Sequence, residues 1–145
     1  MMRTEYALGF LFNLRMNRVV LIRKNRPTWQ QGKLNGIGGH VEKGETHLEC
    51  MEREFKEETG VLVPQEDWNY IALLYGAKFK MPVFSAFSDA IFETKTMTDE
   101  KVSINTIQHL DYNTCISNVR WLIGLCLDRD GPRIHANIEY YTDGV

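Results

Sequence analysis

The run Gly36-Ile37-Gly38-Gly39-His40-Val41-Glu42-Lys43-Gly44-Glu45-Thr46, continued by His47-Leu48-Glu49-Cys50-Met51-Glu52-Arg53-Glu54-Phe55-Lys56-Glu57-Glu58-Thr59-Gly60, decides how this chain is read. Its first half is dense in glycine. Gly36, Gly38 and Gly39 permit backbone conformations that side chains forbid, and let main-chain carbonyls and amides approach a ligand. A turn with a short strand is expected over residues 36–41, and a second turn around Gly44. The second half is a helix. Thr46 followed three residues later by Glu49 fits a capping box. Leu48, Met51 and Phe55 recur at three and four residues as one apolar stripe. Gly60 supplies the stop, and Pro64 lies beyond it.

At 3.6 residues per turn, Glu54, Glu57 and Glu58 stand on one face of that helix. Three carboxylates so close repel one another, at a cost of roughly a few tenths of a kcal/mol per pair. A cation seated on them removes the penalty. An all-oxygen donor set suits Mg²⁺ or Mn²⁺, not zinc or copper. Arg53 lies beside Glu54 and one turn from Glu49 and Glu57. It holds a ligating carboxylate in a fixed orientation, or else it is an ordinary surface ion pair. Glu45 favours the helix dipole or reaches waters on the metal.

Outward from this segment, Tyr6–Leu14 and Arg18–Lys24 read as strands joined by a hairpin connection at Arg15-Met16-Asn17. Residues 25–35 are polar and read as a loop. Downstream, Trp68–Lys80 and Val83–Phe92 read as two strands with Pro82 between them. Residues 93–105 read as a loop and Ile107–Leu110 as a short strand. Ser117–Asp128 reads as a second helix with Val119, Leu122, Ile123 and Cys126 on one side, broken by Gly131-Pro132. Arg133–Tyr141 is a last strand or an irregular tail. No repeat or linker is visible, so residues 1–145 are expected to form one domain. Strands mixed with two helices imply helices packed on the faces of a mixed sheet, an α+β fold of the α/β/α sandwich kind.

The 145 residues are 43% hydrophobic and 25% charged, which excludes general disorder. Seventeen Lys and Arg against nineteen Asp and Glu give a net charge of -2, so no global basic field holds a nucleic-acid duplex. The charge is instead polarised along the sequence. From Arg15 to Val41 there are six basic residues and no acidic one; from Glu42 to Glu58 there are seven glutamates and three basic residues. That is either two solvated faces or a site that needs carboxylates for a cation and Lys or Arg for phosphates. Cys50, Cys115 and Cys126 form no CxxC pair, which points to a reducing cytoplasm. No run of eighteen apolar residues spans a membrane, and Ala7–Phe12 is expected to be strand, not signal peptide.

The common phosphate loops are not met: Gly32-Lys33 lacks the flanking P-loop residues, and Gly36-Ile37-Gly38 lacks the later glycine. Another pattern is. Gly39, five residues, Glu45, seven residues, then Arg53-Glu54-Phe55-Lys56-Glu57-Glu58-Thr59-Gly60-Val61 resembles the Nudix box, with all seven fixed letters at the right spacing. At about 7% per letter a chance match is on the order of one in 10⁸ per start position. Phe55, where the family usually has a bulky aliphatic residue, is the single departure. The order of strands, box, strands and late helix also looks like the Nudix sandwich. Lys33–Gly39 looks like the equivalent stretch of MutT-type enzymes that sanitise oxidised nucleotides.

The resemblance implies a hydrolase that uses Mg²⁺ or Mn²⁺. Its first-choice substrate is a (deoxy)nucleoside triphosphate, oxidised forms such as 8-oxo-dGTP included, cleaved to monophosphate and pyrophosphate. ADP-ribose, a dinucleotide, a diadenosine polyphosphate or a capped RNA is the alternative substrate. A nucleotide sensor without catalysis is the alternative class. By similarity Glu54, Glu57 and Glu58 ligate the metal, with the Gly38 carbonyl as an extra ligand. Arg53 supports them. The general base is Glu57 or Glu100, with Asp99 behind. Arg23 and Lys24 bind phosphate, or are solvated strand-end residues. Asn35 and Asn118 read a base edge, or serve a turn and a helix cap. Tyr75, Phe79 and Phe84 stack on a base or fill the core. His40 is a strand residue near the site, and Cys50 a buried small hydrophobe. The expected partner is a nucleotide or nucleotide conjugate, and a homodimer stays open.

Overall fold

Six consecutive buried residues, Ala7 to Phe12, mark a strand covered on both faces. This is β1, Thr4–Phe12. The computed structural model describes residues 2–139. The further strands are β2 (Arg18–Arg23), β3 (Leu34–Asn35), β4 (Ile37–His40), β5 (Asn69–Tyr75), β6 (Phe79–Phe87), β7 (Val102–Thr106) and β8 (Ile134–Asn137). The helices are α1 (His47–Thr59) and α2 (Ser117–Leu127), and short 3₁₀ turns link the rest. All eight strands join one mixed sheet. β1 runs parallel to β6 and β5 parallel to β8, while the other pairs are antiparallel.

The registers locate a split in this sheet. Leu8 pairs with both Gly38 and Val83, and Phe12 with both Val19 and Phe87. A strand has two edges, so β2 and β4 share one edge of β1 while β6 takes the other. Likewise Val19 pairs with Phe12 and Asn105, and Ile22 with Asn35 and Val102. Thus β1 and β3 share one edge of β2. β1 and β2 meet at Phe12 and Val19 and then part. The glycine-rich segment fills the gap, β3 bonding β2 and β4 bonding β1.

Alternation sends side chains to two cores. Ala7, Leu11, Val20 and Ile22 pack beneath α1 with Met51, Phe55 and Trp68. Leu8, Phe10, Phe12, Val19 and Leu21 pack beneath α2 with Val119, Leu122 and Ile123. The expected α/β/α sandwich is the fold found. Gly9 lets α1 lie directly on the sheet: a Cβ there would stand 2.6 Å from Met51 Sδ and 2.9 Å from the Trp68 ring.

The Thr46–Glu49 capping box and the Gly60 stop, with φ 79°, form as the sequence requires. Three local expectations are corrected. The turn between β5 and β6 is not at Pro82 but at residues 76–78, where the Gly76 amide bonds the Phe79 carbonyl at 3.0 Å. Pro82 lies within β6 opposite Leu73, and the β1–β6 register is interrupted between Lys80 and Val83, where proline has no N–H to give. The segment read as a loop to Asn105 contains β7, whose ladder with β2 compensates for weak patterning. Ile107–His109 is a 3₁₀ turn, not a strand. The final strand is β8; Tyr140 and Tyr141 lie outside the described residues.

Candidate active site

α1 carries its acids to the edge of the β3–β4 segment, and Arg53 organises them. Its Nε and Nη2 donate to the two oxygens of Glu45 at 2.6 and 2.9 Å. Its Nη1 donates to Glu54 at 3.0 Å and to Glu57 at 3.3 Å, and Nη2 also to the His40 carbonyl at 3.1 Å. The fork geometry of guanidinium suits this many acceptors. The hydrogen bonds from Arg53 pull the Glu45 carboxyl down to about 2, and Glu45 in turn holds the guanidinium above its usual range. Beside the two readings of Glu45, dipole partner and metal-water contact, stands a structural one. Its two oxygens fix Arg53, and Oε1 also accepts from the Glu42 amide at 3.0 Å.

Glu54 lies against Gly39: a Cβ on Gly39 would run into the Glu54 carboxylate. Burial pushes the Glu54 carboxyl up, against the pull of Arg53. Burial, joined by the charge of Glu54, pushes Glu58 up to about 8, while Lys24 draws it down. Glu58 Oε2 is buried and has no hydrogen-bond partner among the described residues. Glu57 is the exposed member of the trio, at 56%.

Opposite them stands Glu100, 4% exposed. Lys24 Nζ donates to its Oε1 at 3.1 Å and the Asn25 amide to its Oε2 at 2.6 Å. The loop that carries Glu100 is tied to the end of α1, where the Lys95 amide donates to the Thr59 carbonyl at 3.0 Å. Lys24, expected on phosphate, is thus ion-paired across the site, and Arg23 Nη1 donates to the Gly32 carbonyl at 2.7 Å. Arg26 pairs with Asp99.

As they stand, no three His, Cys, Asp or Glu among the described residues are gathered to hold a metal. A divalent cation nonetheless fits the chemistry here. The donors are all oxygen, two carboxylates are crowded and desolvated, and one buried carboxylate oxygen lacks a hydrogen-bond partner among the described residues. Gly38, the expected carbonyl ligand, sits half-buried in β4 opposite Leu8.

The second half of the site lies along β3. Asn35 Oδ1 accepts from the Gly36 amide at 2.8 Å, the turn role, while its Nδ2 faces Gln30 Oε1 at 3.4 Å. The Leu34 carbonyl accepts from the Ile116 amide at 2.9 Å, which ties β3 to the start of α2. Asn118 is not the cap of α2, because Ile116 holds that position; it lies inside the first turn, 9% exposed. Phe84 belongs to the core under α1, and Tyr75 lies beneath Arg3. Phe79 is half-buried and packs against the core under α2. His40 is exposed, its ring 4.5 Å from that of Tyr6. Cys50 is fully buried, as expected. Asn25, Arg26 and their bonds to Asp99 and Glu100 escaped sequence reasoning, since nothing in a spacing of more than seventy residues announces them.

The NUDIX domain family model matches residues 2–122. The chain belongs to the NUDIX family. It is accordingly a Nudix hydrolase, acting on the pyrophosphate bond of nucleoside diphosphate-linked compounds. Solved structures share this Nudix fold. A MutT protein from Bacillus halodurans superposes with a TM-score of 0.72 at 17% identity, over 96% of this chain and 91% of that one. A NUDIX hydrolase from Nitrosomonas europaea gives 0.70 at 17% identity, over 95% and 81%. A MutT/nudix family protein from Enterococcus faecalis gives 0.61 at 18% identity, over 72% of this chain but 44% of that one. This Nudix domain therefore spans less than half of that last protein. Among its described residues no helix is long and apolar enough to cross a membrane.

Proposed function

We propose that this Nudix domain hydrolyses a (deoxy)nucleoside triphosphate, oxidised forms such as 8-oxo-dGTP included, to the monophosphate and pyrophosphate, with Mg²⁺ or Mn²⁺. The observation that carries this reading is the partnerless buried oxygen of Glu58 beside a second desolvated carboxylate, Glu54, on a helix face organised by one arginine. Such an arrangement is costly unless a cation completes it. Glu54, Glu57 and Glu58, with the Gly38 carbonyl, would hold that cation. When bound, it neutralises phosphoryl oxygens and lowers the pKa of water.

The chain's own residues do the rest. Arg53 keeps Glu54 and Glu57 from swinging away, because it is itself anchored on Glu45 and the His40 carbonyl. Glu100 accepts the proton of the attacking water. Its Oε1 accepts from Lys24 alone and so has a second lone pair to give, while Oε2 is held by the Asn25 amide and faces Arg26 Nη1 at 3.9 Å. Lys24 and Arg23 supply positive charge for the substrate phosphates. Asn35 and Asn118 read the base edge; the Leu34–Ile116 hydrogen bond that joins their elements supports this pairing.

The test is a panel of nucleoside triphosphates, 8-oxo-dGTP, ADP-ribose, dinucleotides, diadenosine polyphosphates and capped RNA, with Mg²⁺ and with Mn²⁺. Highest kcat/KM on a triphosphate, with pyrophosphate as product, is expected. Preference for a conjugate overturns the substrate. An inert protein that still binds nucleotides supports a sensor instead.

A further inference from the structure

Asn25 holds the Glu100 loop at two points. Its backbone amide donates to Glu100 Oε2 at 2.6 Å, and its side-chain Nδ2 donates to the Asp99 carbonyl at 2.7 Å. The two bonds reach consecutive residues of the far loop from a single residue of the near one. The flanking contacts extend the same seam. Lys24 Nζ takes the other Glu100 oxygen, Arg26 pairs with the Asp99 side chain, and the Arg23 amide donates to the Lys101 carbonyl at 2.8 Å. Of these, the Asn25 side-chain bond fixes the peptide that carries Glu100 without touching its carboxylate. Residues 94–101 form no helix or strand, so single hydrogen bonds set the loop's orientation: the Glu100 amide to Thr98 Oγ1 at 3.2 Å and the Val102 amide to Thr96 Oγ1 at 2.9 Å within it, and the Asn25 bonds across to it.

We propose that Asn25 is a positioning residue for the reaction, aiming the Glu100 carboxylate by clamping the 99–100 peptide. This rests on the reading of Glu100 as proton acceptor. Asn25 is exposed and outside both cores, so its side chain can be removed without opening a cavity.

The experiment is a double-mutant cycle on the full chain with Asn25→Ala, Glu100→Gln and the combined variant, using the best substrate of the panel. Asn25→Ala is expected to lower kcat about tenfold, the effect of one lost hydrogen bond on a barrier, with KM within about twofold. In the Glu100→Gln background the same change is expected to be silent. Melting temperature is followed in all variants and in Asn25→Ser. If Asn25→Ala slows the Glu100→Gln enzyme as much as the wild type, Asn25 acts elsewhere and the proposal fails. A rate loss matched by an equal fall in melting temperature in both Asn25 variants also overturns it. Wild-type turnover by Glu100→Gln removes the acceptor role itself, a failure distinct from loss of the Asn25 clamp.

Discussion

Replacing Gly39 by alanine tests whether catalysis depends on where Glu54 is held. The backbone at Gly39 is not left-handed, so alanine fits it without strain. The new Cβ would stand 2.7 Å from Glu54 Oε2 and nearer still to Oε1 and Cδ. Ordinary contact begins at about 3.5 Å, so the carboxylate must retreat by about 1 Å. It is the far end of a flexible side chain and can do so. The move takes it off Arg53 Nη1, now at 3.0 Å. A displacement of about 1 Å at a reacting group costs roughly 10²-fold in rate, whereas the fold should lose only about 1 kcal/mol, a few degrees of melting temperature. Gly38→Ala is the contrast. Its Cβ would fall on the Ala7 carbonyl oxygen, with Ala7 C and Leu8 Cα at 3.0 Å. Backbone cannot step aside, so the β1–β4 ladder breaks and the protein melts far lower or fails to fold. Pyrophosphate release and thermal melting on both variants decide. Full turnover by Gly39→Ala, or equal destabilisation of the two, refutes the reasoning.

Glu57→Gln should lower turnover by several orders of magnitude with an unchanged melting curve; near-normal turnover in the pyrophosphate assay would remove it from the site. Asn118→Ala should change the ratio of kcat/KM between bases more than the rate on the best one, and equal losses on all bases would count against base reading. Mn²⁺ at about a hundred times its Kd should stabilise the wild type by about 2.7 kcal/mol, and Glu54→Gln should lose most of that shift in a melting series. The Glu45 carboxyl, held down to about 2 by Arg53, contributes stability that is complete above its unfolded value near 4.5 and is lost as pH falls toward about 2. Metal-free melting of wild type and Glu45→Gln should therefore differ by a constant amount at neutral pH and converge in that acid window; a gap that persists to pH 2 would refute the assignment.

Much of this fold is local and therefore legible. The caps of α1 are short-range devices, and Thr46, Glu49 and Gly60 mark its ends to the residue. The apolar run from Ala7 identifies a buried strand without reference to its neighbours. β7 is different: Val102–Thr106 gains its strand character from pairing with β2, a partner about eighty residues away. Pro82 misled for a related reason, because a proline is tolerated where a ladder skips a bond, and that gap exists only in the assembled sheet. In the site, the carboxylate face followed from helical spacing alone. The partners of Lys24 and Asn25 did not, since the contacts that define them cross between loops far apart in sequence.

The segment from Leu34 to His40 bonds to β2 at its beginning and to β1 at its end. It is a second bridge between two strands that already meet at Phe12 and Val19, with its near abutment at Asn35 and its far one at Gly39. Strain introduced at either abutment travels through the few peptides between them. Attempts to retune the proposed base reading at Asn35 must then be scored by turnover as well as by affinity, for the same girder carries both loads.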